Sequence, residues 1–290
     1  MSRIKKAVIP AAGFGTRLLP ATKAIPKEML PIVDKPAIQY IVEEAIDAGI
    51  EEIIIVTSRN KQAIEDHFDR NHEIELFLYE QNKPQLLKLV KDIAHTKIQY
   101  VRQKQALGLG HAVWCARNFI GDEPFAVLLG DVISESCLKP LIQTYEETNS
   151  SIIAVQPVDW VNVSNYGVIC GETLQNGLVK VDRLVEKPKV DPPSNLAIIG
   201  RYILEPEIFP ILERLLPGDG GEIQLTDALQ ELIKQSDLHA FTFEGKTYDV
   251  GNKLGYLKAT VELALGHETL QTHFAEYLQQ IEWKRGEPLE

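Results

Sequence analysis

The sequence predicts an α/β fold: a Rossmann-like, mostly parallel twisted sheet flanked by helices, with extra antiparallel strands in the second half and helices at the C-terminal end. Three observations predict it. Short apolar runs end in Gly or Pro, as at residues 7–12 and 125–129, which suits buried strands. Segments of helical period alternate with them, and strand, helix and strand fit within about 50 residues, the βαβ spacing of a parallel sheet. From residue 151 the rhythm changes to consecutive strands separated by turns.

Residues 7–12, Ala-Val-Ile-Pro-Ala-Ala, form the first buried strand and run into Gly13. Residues 13–35 hold Pro20, Pro26 and Pro31 and no clean period. A loop of that length inside a compact domain is usually functional. A helix follows Pro36, which suits a first turn. Its apolar residues Ile38, Ile41, Val42, Ala45 and Ile46 share one face, and Gly49 stops it. Ile53–Val56 is the second strand. Residues 61–68 and 84–93 are predicted helices, 98–102 a strand, 110–118 a short helix, and 125–129 a buried strand ending at Gly130-Asp131. Strands are predicted at 151–158, 166–170, 178–185 and 196–203, and helices at 206–215, 225–235, 253–265 and 268–282. The whole chain, 1–290, reads as one domain, with no internal repeat and no clear linker.

The 290 residues are 44% apolar and 24% charged, which excludes a disordered or collagenous chain. The net charge of −11 argues against a nucleic-acid binder. No apolar run approaches the roughly 20 residues of a membrane span. The basic N-terminus stops at Pro10, too short for a signal-peptide core. Cys115, Cys137 and Cys170 are far apart and form no C-x-x-C pair, so neither a disulfide framework nor a zinc site is expected. A reducing, cytoplasmic setting follows as an expectation. The charge is uneven. Residues 1–35 carry seven Lys and Arg against Glu28 and Asp34, a local balance of +5 that leaves −16 on the rest. Such a segment suits either a bound polyanion or a lysine-decorated surface loop.

Gly13-Phe14-Gly15-Thr16-Arg17 follows the first strand, where glycines let backbone N–H groups close on an anion. Leu18 stands where a dinucleotide fingerprint has its third glycine, and no Gly-Lys-Ser/Thr follows, so neither that motif nor a Walker A loop is present. The wider string is more specific: Gly13-x-Gly15-Thr16-Arg17-x-x-Pro20-x-Thr22-Lys23-x-x-Pro26-Lys27-Glu28-Met29-Leu30-Pro31, then Val33-Asp34-Lys35-Pro36. It resembles the sugar-1-phosphate nucleotidylyltransferases, and Ala11-Ala12-Gly13 is similar to their uridylyl branch. The resemblance covers most of residues 4–265; residues 69–97 and 266–290 are weakly constrained.

The resemblance implies a nucleotidyltransferase, GT-A-like fold. Residues 1–150 would be the nucleotide-binding part, 151–252 the sugar-binding part bearing the extra antiparallel strands, and 253–290 C-terminal helices. It implies uridylyl transfer from UTP to glucose 1-phosphate, with Mg²⁺ and without a covalent intermediate, in a homodimer or homotetramer with neither nucleic acid nor membrane as partner. Such a transfer moves an anion onto an anion, so the protein must align reactants and neutralise charge. Arg17 offers a planar fork and Lys27 a compact ammonium; by resemblance both face the triphosphate, and Lys187 of Val185-Glu186-Lys187-Pro188 reaches the sugar phosphate or α-phosphate. Lys5, Lys6, Lys23 and Lys35 read as solvated.

Asp131, at a strand end, reads from the residues alone as either a turn residue or a metal ligand; the resemblance implies the ligand. Asp249, in Tyr248-Asp249-Val250-Gly251, reads as either a second ligand or a cap of the next helix. By resemblance Gln103 and Gly108 read the base, Ala11, Ala12, Gly13, Gly15 and Thr16 line the nucleotide with main chain, and Glu28 is a partner there. His111 reads as structural, at a helix start. Gly167, Glu186 and Glu222 fall on the sugar side, with Thr226 or Asp227 as a cap of the nearby helix. Competing expectations are the same transfer on another base or sugar, a nucleotide-sugar-binding protein without turnover, and a nicotinamide oxidoreductase.

Overall fold

A computed structural model describes residues 4–174 and 177–281. The first half runs β1 (Lys6–Pro10), the short hairpin β2 (Pro31–Ile32) and β3 (Lys35–Pro36), α1 (Ala37–Asp47), β4 (Glu52–Thr57), α2 (Gln62–Phe68), α3 (His72–Glu80), α4 (Pro84–Ala94), β5 (Ile98–Arg102), α5 (Leu109–Cys115), α6 (Arg117–Ile120), β6 (Phe125–Leu128), β7 (Val132–Ser134) and α7 (Leu138–Thr148). The second half runs β8 (Ser151–Pro157), β9 (Gly167–Thr173), β10 (Leu178–Glu186), β11 (Leu196–Leu204), α8 (Ile208–Arg214), α9 (Leu225–Leu232), β12 (Leu238–Thr242), β13 (Thr247–Asp249), α10 (Lys253–Leu265) and α11 (Gln271–Gln280). Residues 282–290, the end of the expected C-terminal helical part, and the basic Met1-Ser2-Arg3 lie outside the described residues.

Nine strands form one sheet in the order β5-β4-β1-β6-β11-β8-β12-β10-β9. The first four are parallel, as expected, and β10 and β11 run against the rest. Alternation along each strand sorts side chains onto two cores. Val8, Ile54, Val56, Phe125 and Val127 pack on α5, α8 and α9. Ala7, Ile9, Ile53, Ile55 and Leu128 pack on α1, α2 and α7. Both faces are covered, which is why these strands read as unbroken apolar runs. A third cluster of Ile32, Ile133, Tyr248, Val250 and Ala259 seats α10 on the β7–β13 ribbon.

Besides the short strands β2, β3, β7 and β13, three longer elements lie where the sequence predicts none. Helix α3 buries only Glu75 and Leu78, too little for a clean stripe. Helix α7 buries Leu138, Leu141, Ile142 and Tyr145 at helical spacing. Strand β12 fills the sheet between β8 and β10. The helix expected over 110–118 breaks at Ala116 into α5 and α6. Lys6 is not solvated: its Nζ lies 2.7 Å from Glu123 and donates to the Ile120 carbonyl at 3.1 Å.

Arg201 on β11 is fully buried and donates to Glu44 of α1 at 2.7 and 3.2 Å. Glu44 also accepts from Ser134 Oγ and the Leu138 N–H, while Arg201 donates to the Val132 carbonyl. This network ties α1, β7, α7 and β11 together behind the strand end that carries Asp131.

Candidate active site

The parallel strands β1, β4, β5 and β6 end at one edge, and main-chain bonds extend the ladder past their ends. Ala11 N donates to Val56 O at 2.9 Å, Gln103 N to Thr57 O at 2.8 Å, and Gly130 N to Pro10 O at 3.3 Å. The segments carrying the glycine loop, Gln103 and Asp131 are thereby fixed side by side. Against this edge lies a cleft of about 780 Å³. Every expected site residue except Ala11 lines it: Ala12, Gly13, Gly15, Thr16, Arg17, Lys27, Glu28, Gln103, Gly108, Asp131, Gly167, Glu186, Lys187, Glu222 and Asp249. Ala11 is buried behind the wall.

Gly15 adopts φ 67°, ψ 30°, a left-handed turn that admits glycine most readily, and Thr22 Oγ1 donates to its carbonyl at 2.7 Å. Lys27 follows in the third of three short 3₁₀ turns. Its Nζ sits 2.6 Å from Asp131 Oδ2. Arg17 bridges two carboxylates, with Nη2 3.7 Å from Asp131 Oδ2 and Nη1 3.3 Å from Asp249 Oδ2. Burial works against the Lys27 charge, but Asp131 and Glu28 outweigh it and hold the ammonium above its usual range. Burial likewise opposes the Asp131 carboxylate, and Lys27 and Arg17 reverse the balance, so its pKa is lowered.

Asp249 reaches this cluster because β13 pairs with β7, with Asp249 opposite Val132. It does not cap α10: Asn252 does, accepting from the Gly255 N–H at 2.9 Å. Asp249 Oδ1 instead accepts from the Gly251 N–H at 2.9 Å. A Cβ on Gly251 would strike Asp131 Oδ2, stand 2.8 Å from Arg17 Nη2 and 3.0 Å from Asp249 Oδ1. Both carboxylates therefore close over a bare α-carbon.

Glu28 is fully buried, and Lys61 Nζ lies 2.7 Å from its Oε2. Burial raises the Glu28 pKa despite Lys61 and Lys27. Gln103 Nε2 donates to the Gly108 carbonyl at 3.0 Å and lies 2.9 Å from His111 Nδ1. Burial depresses the His111 pKa, so the ring is neutral and Nδ1 accepts. Both amide protons of Gln103 are thus committed, and its Oε1 remains as the acceptor. His111, expected as a structural residue at a helix start, lies in α5 and meets the Gln103 amide through this bond. Gly108, at φ 92°, is glycine for a second reason: a Cβ there would meet the Ile223 carbonyl at 2.8 Å. Ile223 N donates to Leu107 O and Gly110 N to Ile223 O, so the two halves of the cleft meet at this loop.

On the opposite wall Glu186 pairs with Gly167 in the β9–β10 ladder. Glu186 Oε2 accepts from Thr226 Oγ1 at 2.7 Å, and Lys187 Nζ lies 3.2 Å from Oε1. Thr226 is therefore no helix cap; α9 begins after Gln224 with no side-chain cap. A Cβ on Gly167 would fall 2.9 Å from Glu186 Oε2. Lys187 holds a left-handed φ of 43°, a strained conformation for a lysine. Glu222 accepts from Gln224 Nε2 at 2.7 Å at the exposed rim.

Sequence reasoning missed Lys61, Gly251 and the Thr226 contact. Gly251 stood inside a quoted motif without a role, whereas Lys61 had no local signal. The charged centre suits a divalent ion, because two carboxylates converge there. Among the described residues no group of three or more His, Cys, Asp or Glu side chains could hold one unaided. Such an ion would draw its remaining ligands from phosphate oxygens. No described helix is long and apolar enough to cross a membrane.

Comparison with known proteins places this geometry in context. The family model for nucleotidyl transferases matches residues 6–265. The UTP–glucose-1-phosphate uridylyltransferase of Bacillus subtilis (strain 168) is 55% identical over 284 residues, covering 96% of this chain and 97% of its own. A UTP-bound UGPase from Acinetobacter baumannii superposes with a TM-score of 0.88 at 41% identity, over 96% of this chain and all of its own. A UDP-glucose pyrophosphorylase complexed with UDP-glucose gives a TM-score of 0.84 at 48% identity, over 91% of this chain and all of its own. The chain belongs to the nucleotidyl transferase family, on the branch that carries the UTP–glucose-1-phosphate uridylyltransferases.

Proposed function

We propose that this chain transfers the uridylyl group of UTP to glucose 1-phosphate, giving UDP-glucose and pyrophosphate. The observation that supports the reading is the Arg17–Lys27–Asp131–Asp249 cluster sharing one cleft with Gln103 and Glu186. A phosphate oxygen of the sugar phosphate attacks the α-phosphorus of UTP, the bond to the β-phosphate oxygen breaks, and pyrophosphate carries the electron pair away. No covalent enzyme intermediate is needed.

The residues divide the work. Gln103 Oε1, its amide protons being spent, accepts from the imide N–H of uracil, while Ala12 and Gly13 line the base with main chain, backed by the buried Ala11. Gly15 and Thr16 turn backbone N–H groups toward the phosphates. Arg17 and Lys27 neutralise the triphosphate and the departing pyrophosphate. Lys187 meets the sugar phosphate, and Glu186, oriented by Thr226, accepts from sugar hydroxyls beside Gly167, with Glu222 at the rim. Asp131 and Asp249 would hold Mg²⁺, which when bound withdraws charge from the reacting phosphates. In this reading residues 1–150 serve the nucleotide and 151–252 the sugar. Within 253–290, helices α10 and α11 would serve assembly, since Leu254, Leu257 and Tyr277 are exposed there, as a homodimer or homotetramer requires.

The test is pyrophosphate release from UTP plus glucose 1-phosphate, with and without Mg²⁺, beside a dTTP control. Metal-dependent release favouring UTP supports the reading. A wide preference for dTTP, or tight UDP-glucose binding without turnover, removes it.

A further inference from the structure

The carboxylate oxygens best placed for a divalent ion are each paired with a cation of the chain. Lys27 Nζ stands 2.6 Å from Asp131 Oδ2, Arg17 Nη2 3.7 Å from the same oxygen, and Arg17 Nη1 3.3 Å from Asp249 Oδ2. Lys27 is largely buried at the pair, its side chain 17% exposed against 16% for Asp131. The pair is thus sheltered from water rather than lying on the surface. Among the described residues no third carboxylate, histidine or cysteine joins the two aspartates to complete a site for an ion.

The Lys27 ammonium also faces the glycine loop. Its Nζ lies 3.7 Å from where a Gly13 Cβ would stand, an ordinary contact distance that sets the ammonium against the loop. A short swing therefore moves it from Asp131 toward the loop where phosphates are expected. Arg17, with a 58% exposed side chain, is freer still to turn.

We propose that Lys27 is a placeholder cation: it occupies Asp131 until nucleotide phosphates draw it off, and only then does Asp131 accept the divalent ion. This rests on the nucleotide-binding reading above and adds a coupling to it. Ion and nucleotide bind synergistically, each raising the affinity for the other by the same factor, as linkage requires. The ion alone binds poorly because it must displace a paired ammonium from a largely buried carboxylate and finds too few ligands in return.

The experiment measures free Mn²⁺ by electron paramagnetic resonance in titrations of the nucleotide-free protein, so that no nucleotide chelates the metal. Lys27→Met is expected to bind Mn²⁺ at least about tenfold more tightly than the unaltered protein, and Lys27→Met/Asp131→Asn to lose that gain. Arg17→Gln, at a mostly exposed side chain whose loss leaves the fold intact, is expected to raise affinity by a smaller factor. It keeps the test decisive should Lys27→Met fail to fold. Tight Mn²⁺ binding by the unaltered protein, or no gain in either single variant, overturns the placeholder. Pyrophosphate release from UTP and glucose 1-phosphate would persist in that event, so failure here is distinct from failure of the proposed reaction.

Discussion

Lys61→Met removes one partner of the buried ion pair in the cleft wall. Glu28 is 0% exposed and the Lys61 side chain 7%, with 2.7 Å between charges. At an effective dielectric of about 20, attraction at that distance is roughly 6 kcal/mol, part of it offset by desolvation of both groups. Breaking such a pair typically costs about 3–5 kcal/mol, because a buried charge is left uncompensated. Glu28 can limit that loss by taking up a proton. Burial already raises its pKa above the ordinary value of 4.5, and loss of Lys61 raises it further. The folded variant then binds more protons than the unfolded chain at pH values between the two pKa values. Stability therefore falls as pH rises through that window.

The variant is expected to melt close to the unaltered protein near pH 5 and lower by roughly 6 °C at pH 8, taking about 3 kcal/mol and roughly 2 °C per kcal/mol for a chain of this size. Thermal melts from pH 5 to 8 read this directly. The double variant Glu28→Gln/Lys61→Met should lose the pH slope and recover most of the deficit. An unchanged melting point at pH 8, or a deficit equal at every pH, would refute the charge argument and leave Lys61 as mere packing.

Gly251→Ala should cut kcat about 100-fold or more while the melting point barely moves, because the new methyl drives apart Asp131, Arg17 and Asp249; unaltered turnover would show that the carboxylates need not converge. Lys187→Ala should lower kcat by about 100- to 1,000-fold with little change in UTP affinity, measured by kinetics and calorimetry; equal losses in both contradict its place beside the sugar phosphate. His111→Phe removes the acceptor that orients the Gln103 amide, so the KM for UTP should rise about tenfold with kcat nearly intact. A fall in kcat alone would instead make the imidazole a participant in the chemistry.

Local signals made the parallel half of the fold legible. Ala7 to Ile9, Ile53 to Val56 and Phe125 to Leu128 are buried on both faces, so sequence alone marks them as strands. The β7–β13 ribbon was not legible, since each strand has three residues and the pairing joins positions over 110 residues apart. The site divides in the same way. Gly13 to Pro31 is one contiguous string whose residue types announce anion binding. Lys61 becomes significant only because the chain after β4 folds over Glu28, and Thr226 only because α9 packs on β10. Gly251 is required by what surrounds it, which no local pattern records.

The most direct measurement is a crystal structure of the protein with UDP-glucose and Mg²⁺. Uracil is expected against Gln103, Ala12 and Gly13, the diphosphate between Arg17 and Lys187 with the ion on Asp131, and glucose against Glu186 and Gly167. UDP-glucose bound outside this cleft, or lying in it with base and sugar exchanged, would contradict it.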